Sequence, residues 1–203
     1  MTEYIKPGEI ENRSYEIIKS ELPRPLDPVL APVILRVIHT TADFEYMDTL
    51  AFSDGVIEHA KTVLRQGVPI VSDTNMVRSG IDKTRLKALG GDVYCFMQDE
   101  EVAAAALKKG TTRAKAAVDK AAALKKPLIF AIGNAPTALL RICELKAAGQ
   151  LSPELVIGVP VGFVNVVESK ELLMRSGIPY ITARGRKGGS NVAAAICNAL
   201  LRI

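Results

Sequence analysis

From Val68 onward the chain carries five short apolar runs: VPIVS (68–72), DVYCF (92–96), PLIFAI (127–132), LVIGVP (155–160) and PYITA (179–183). Each is brief, rich in β-branched or aromatic residues and not alternating, which is the pattern of strands buried on both faces. Stretches of helical character separate most of them: 99–124, rich in Ala and Lys; 136–148, opened by Pro136 and closed by Gly149; 166–176; and 190–202, opened by Ser190. Strand and helix in repetition require right-handed crossovers and a parallel sheet covered on both sides. The expected fold is therefore α/β, an open parallel sheet of about five strands with helices on both faces.

An N-terminal helical segment precedes this pattern. Residues 10–21 (IENRSYEIIKSE) and 27–39 (DPVLAPVILRVIH) carry apolar positions at helical spacing, with Pro32 near a helix start or at a kink. Residues 55–66 set Val56, Ala60, Val63 and Leu64 on one face, and Gly67 stops the helix. With 203 residues and no repeats or long linkers, the chain reads as a single domain, 1–203.

Several function classes drop out on composition. Nothing approaches the roughly 20 uninterrupted apolar residues of a membrane-spanning helix. The first residues mix acids and bases and lack the apolar core of a secretory signal, so a cytoplasmic protein without a membrane partner is expected. The net charge is +4, but the bases form no stripe, aromatics are 5% and tryptophan is absent, so no nucleic-acid partner is expected. Several bases instead fall near glycine-rich turns, which suits a small polyanionic ligand. A slightly basic surface by itself demands no ligand at all. Cys95, Cys143 and Cys197 lie far apart inside apolar runs, without zinc spacing. They read as core residues of a reducing compartment, and no metal site is expected.

Ligands of an open parallel sheet bind beyond the carboxyl ends of its strands. The segments there are the least ordinary in the chain. RGRKGGSN (184–191) has three glycines and three bases before the Ser190 helix start, a composition that admits an anion or merely a solvated turn. In IGNAPTAL (132–139), Asn134 can cap the following helix or offer its amide to a ligand. GVPVGFVNVVESK (158–170) is too apolar to be freely solvated and suits a hydrophobic cleft or a subunit contact. In SDTNMVRSG (72–80), Asp73 and Thr74 can cap a helix, Met76 can face an apolar ligand and Arg78 a carboxylate.

Of the two histidines, His59 sits on an amphipathic helix beside Glu58 and Lys61 and reads as a surface residue. His39 ends an apolar helix three residues after Arg36, so both side chains can face one ligand. A histidine titrates near pH 6.5 when unperturbed, within reach of neutral-pH proton transfer. A helix-end histidine serves structure just as readily. Taken alone, the residues define an α/β protein with an anion-friendly, partly apolar cleft.

RVIHTTADFEY, SDTNMV, AIGNAPTAL, GVPVGFVNVVESK and GRKGGSNVAAAICNAL together resemble, in this order, the blocks of the precorrin-8X (cobalt-precorrin-8) methylmutases of cobalamin biosynthesis. The resemblance runs from about residue 10 to the C-terminus. It implies a cofactor-free isomerase that moves a methyl group from C-11 to C-12 of a corrin-type tetrapyrrole polycarboxylate, giving hydrogenobyrinate or its cobalt counterpart. It also implies a homodimer with the cleft near the subunit contact. His39 matches the family's proton donor/acceptor, and Ser14 and Arg36 match its substrate-binding positions. Beyond these three, Thr74, Met76, Arg78, Asn134, Phe163, Arg184, Arg186 and Ser190 are the expected substrate contacts, chosen for a flat apolar ring fringed with carboxylates. Two rival readings are a nucleotide-binding enzyme, suggested by GRKGGS, and a non-catalytic tetrapyrrole carrier. The first lacks a glycine-rich loop after its first strand, and the second would need the cleft but not His39.

Overall fold

A computed structural model describes residues 6–203. Among them, six strands form one sheet in the order β1-β6-β5-β4-β2-β3. These are β1 (Leu50–Phe52), β2 (Ile70–Ser72), β3 (Val93–Tyr94), β4 (Ile129–Ile132), β5 (Leu155–Gly158) and β6 (Tyr180–Ala183). All neighbours run parallel except β1, which pairs antiparallel with β6 through Leu50↔Ala183 and Phe52↔Ile181. The five runs read from the sequence are β2 to β6. The expectation of about five strands misses β1, which falls inside the segment read as helical. Three residues at a sheet edge carry no measurable period, and only the partner strand gives them their conformation.

The helices before the sheet are α1 (Ile10–Glu21), α2 (Ala31–Thr41), the single turn α3 (Tyr46–Thr49) and α4 (Val56–Arg65). Pro32 lies in the first turn of α2, where a missing N–H costs nothing, so it starts the helix and does not kink it. Two short helices, α5 (Asn75–Gly80) and α6 (Lys83–Ala88), follow β2. The stretch 99–124, read as one helix, is two: α7 (Glu100–Lys109) and α8 (Arg113–Ala122). Gly110 ends α7 at φ 60°, and the Thr112 hydroxyl opens α8 by accepting the Lys115 amide. The remaining crossovers are α9 (Pro136–Ala147), α10 (Val166–Arg175) and α11 (Ser190–Leu200).

Alternate strand residues face opposite layers. Ile70, Ile129, Ile157 and Ile181 pack with α2, α4 and α11 in the larger core, while Val71, Phe130, Ile132 and Val156 pack with α8 and α9. α2 is held by this core along its length, with Val33, Val37 and Ile38 fully buried. It packs most extensively against α11, and α1 lies over it. Cys143 and Cys197 are buried and Cys95 is half-buried, all three as free thiols. His59 is less of a surface residue than its helix suggests: it is half-buried, with Nε2 2.7 Å from the Glu154 carbonyl oxygen.

Candidate active site

The strand-end loops are fastened to one another by buried polar groups. Asp73, 4% exposed at the end of β2, accepts the backbone amides of Gly133 (2.9 Å), Asn134 (2.8 Å) and Ala135 (2.7 Å). Burial pushes its carboxyl above the ordinary value while the three amides pull the other way. The start of α9 is thus capped from a neighbouring strand, with Ala135 at the N-cap position, and the Asn134 side chain does not cap it. Thr74 caps α5 by accepting the Val77 amide, and its Oγ1 also lies 2.9 Å from Ser190 Oγ at the head of α11.

The glycines of the last loop answer to protein backbone. A Cβ on Gly188 would stand 2.1 Å from the Val159 carbonyl oxygen, and one on Gly133 2.7 Å from the Ser190 Cα. The Gly189 amide donates to the Val159 carbonyl at 2.8 Å. Beneath the loop, Lys170 is 1% exposed and donates from Nζ to the carbonyls of Gly185 (3.0 Å) and Lys187 (2.7 Å). Burial pulls its ammonium down to about 8. Above this scaffold Met76, Phe163 and Val164 are exposed, with the Arg186 guanidinium 5.3 Å from the centre of the Phe163 ring. Arg184 lies 3.8 Å from Glu171, and Arg78 has no side-chain partner among the described residues.

A second cluster forms where α1 crosses α2. Arg36 Nη1 pairs with Glu11 and donates to the Tyr15 hydroxyl at 3.3 Å. Arg202, just past α11, donates to the same Glu11 oxygen at 2.8 Å. Burial alone would raise the Glu11 carboxyl, but Arg202 and Arg36 outweigh it and hold it below the usual carboxylate range. His39, in the last turn of α2, is exposed, and its ring centre lies 5.3 Å from that of Tyr15 at an interplanar angle of 40°. The Ser14 hydroxyl donates back to the Ile10 carbonyl at 2.9 Å.

Tyr15, Lys19, Leu35, Arg36 and Arg202 are among the residues around a cavity of about 460 Å³, floored by Pro32, Ala199 and Ile203. A neighbouring cavity of about 530 Å³ shares Lys19 and Leu35 and extends past Arg24 and Leu26. Apolar floors with cations at the rim suit an apolar ligand that carries carboxylates.

The family model described as Precorrin-8X methylmutase matches residues 9–203. The chain belongs to that family. It is 46% identical to a cobalt-precorrin-8 methylmutase of Salmonella typhimurium, over 97% of this chain and 95% of the relative. A cobalt-precorrin-8 methylmutase of Priestia megaterium is 42% identical over 97% of this chain and 88% of its own length. A precorrin-8X methylmutase of Pseudomonas aeruginosa is 38% identical over 98% of both. The crystal structure of precorrin-8X methyl mutase from Thermus thermophilus superposes with a TM-score of 0.87 at 40% identity, covering 96% of each chain. The chain is thus a methylmutase, an isomerase of cobalamin biosynthesis. No helix among the described residues is long and apolar enough to cross a membrane.

In this methylmutase the residues singled out from the sequence fall into two groups. Ser14, Arg36 and His39 gather at the α1–α2 crossing, whereas Thr74, Met76, Arg78, Asn134, Phe163, Arg184, Arg186 and Ser190 stand at the strand ends. Lys187 joins the two: its ammonium pairs with Asp43, two residues past α2, at 2.5 Å and with Glu45 at 2.7 Å. Tyr15, Glu11, Arg202, Asp73 and Lys170 were not singled out as site residues. Glu11 and Tyr15 did leave a signal, the i, i+4 spacing within α1. Arg202 left none, since it meets Glu11 across 191 residues of sequence.

Proposed function

We propose that His39 is the general acid of a methyl migration on a corrin-type tetrapyrrole, with Arg36 receiving one of the substrate's carboxylates and Ser14 contributing to the same site. The reaction is an isomerisation. The bond from the methyl group to C-11 breaks as its bond to C-12 forms, and the proton lent by His39 is returned, so atoms and electrons balance without a redox partner. Protonating the conjugated ring makes its carbon framework electron-poor and favours the [1,5] shift, and such proton transfer is typically worth about 10²–10⁴-fold.

The observation that carries this reading is the α1–α2 crossing. An exposed imidazole with no hydrogen-bond partner among the described residues stands against Tyr15, which with Arg36 and Arg202 walls an apolar-floored cavity. Only Nη1 of Arg36 is engaged, which leaves its other donors for a carboxylate. The strand-end residues Met76 and Phe163 offer apolar surface for the ring, and Arg78, Arg184 and Arg186 charge for its fringe. Thr74, Asn134 and Ser190 belong to the same reading as polar contacts. We read residues 1–203 as one domain acting as a homodimer, an arrangement that would also cover part of the exposed Phe163–Val164 surface.

The test is His39→Ala, incubated with metal-free and with cobalt-containing substrate while the visible spectrum is followed. Turnover should fall by about 10²-fold or more while the coloured product still binds. Undiminished turnover would remove the acid role.

A further inference from the structure

We infer that Tyr15 is the positioning residue that orients the His39 imidazole for proton transfer. The inference rests on His39 being the acid and gives a function to the ring against which it stands.

Catalytic histidines are commonly oriented by a hydrogen bond from their second ring nitrogen to a carboxylate or carbonyl. His39 has no such partner among the described residues, and it is exposed at the last turn of α2. Exposed side chains exchange rotamers within nanoseconds, so an unsupported imidazole would spend much of its time turned from the substrate. The tilted Tyr15 ring, at 5.3 Å and 40°, lies within the 4.5–7 Å range of favourable aromatic pairs and supplies lateral support.

That platform is itself fixed. The Tyr15 ring is half-buried against the main core, and its hydroxyl donates to Glu11 at 3.4 Å and accepts from Arg36 at 3.3 Å. Glu11 in turn is held by Arg202 at 2.8 Å. One aromatic side chain thus connects the carboxylate-binding arginine to the acid. Its ring serves His39, and its hydroxyl serves Arg36 and Glu11.

This division makes the two functions separable. Tyr15→Leu should lower kcat about ten-fold with a smaller change in KM, because misplacing a catalytic group by a fraction of an ångström acts on the transition state. Tyr15→Phe keeps the ring and should restore most of that kcat, leaving its effect mainly on KM. Thermal melts establish that both variants are folded. In the unmodified protein, which has only two histidines, nuclear Overhauser contacts should join the His39 ring to an aromatic spin system that Tyr15→Leu abolishes. His59→Gln assigns the two imidazoles.

Unaltered kcat in Tyr15→Leu, equal damage in both variants, or absence of ring-to-ring contacts in the unmodified protein would overturn the inference. If His39→Ala loses turnover while Tyr15→Leu does not, the positioning role alone falls. If His39→Ala keeps full turnover, the acid assignment falls and the positioning role with it.

Discussion

Replacing Lys170 by Met should change how stability depends on pH more than stability at any single pH. Lys170 is 1% exposed, and its ammonium has exchanged water for the carbonyls of Gly185 and Lys187. Its pKa falls from 10.5 to about 8 in the fold. A difference of about 2.5 units corresponds to about 3 kcal/mol between the charged and neutral forms at 1.36 kcal/mol per unit. Below pH 8 the lysine is charged in both folded and unfolded chains, so the fold carries the whole desolvation penalty. Between pH 8 and 10.5 the unfolded chain binds a proton that the folded chain has released, and stability rises with pH. Above 10.5 both forms are neutral and the penalty is gone.

Lys170→Met removes the penalty together with two charge-assisted hydrogen bonds, each worth about 1.5–3 kcal/mol. The variant should therefore match the parent to within about 2 kcal/mol at pH 7. Urea unfolding at intervals from pH 7 to 10.5 gives the difference between parent and variant, in which titrations common to both chains cancel. That difference should move by about 3 kcal/mol in favour of the parent as pH rises. A difference independent of pH, or one moving the other way, would refute the reasoning.

Two further substitutions test the strand-end scaffold. Asp73→Ala leaves three amides without their acceptor. The Gly133 amide is buried and the other two are partly so, so urea unfolding should show a loss of about 2–4 kcal/mol, and a loss under about 1 kcal/mol would contradict the capping role. Gly133→Ala sets a methyl 2.7 Å from the Ser190 Cα and should cost about 1–3 kcal/mol by displacing the head of α11. Gly8→Ala, with nothing within 4 Å of its new methyl, should leave the melting temperature unchanged and serves as the control.

What the sequence disclosed follows from where the physical cause lay. β4 and β5 are visible because burial on both faces makes every residue apolar, a signal local to four positions. The break at Gly110–Thr112 hides between two Ala-rich helices of ten residues each, whose composition is the same on both sides. α5 and α6, six residues apiece, are too short to show a period. Of the proposed site, Arg36 and His39 share a helix face at i, i+3 spacing, whereas nothing in α1 alone shows that Tyr15 meets the His39 ring. Asp73 reads as a cap for its own following helix, and Lys170 looks like an ordinary solvated charge. Their roles arise from contacts across 60 and 17 residues that exist only once the strands align. Gly188, in a loop whose glycines suggested ligand approach, is required by backbone meeting backbone, as is Gly133.

In the proposed site, α2 links the two clusters. Its backbone near His39 is fixed from several sides. Val37 and Ile38 are fully buried, Ala42 closes the helix at φ 52° by donating its amide to the Ile38 carbonyl, and Lys187 anchors Asp43 to the last strand-end loop. Proton transfer tolerates little displacement, so in the proposed mechanism α2 sets where His39 stands and Tyr15, from α1, sets where it points. The anchoring lysine belongs to the same loop whose carbonyls Lys170 holds, so loosening that loop reaches His39 through the α2 terminus. Asp73→Ala and Gly133→Ala should therefore weaken binding and stability together. His39→Ala and Tyr15→Leu should instead act on the chemical step while the fold stays intact.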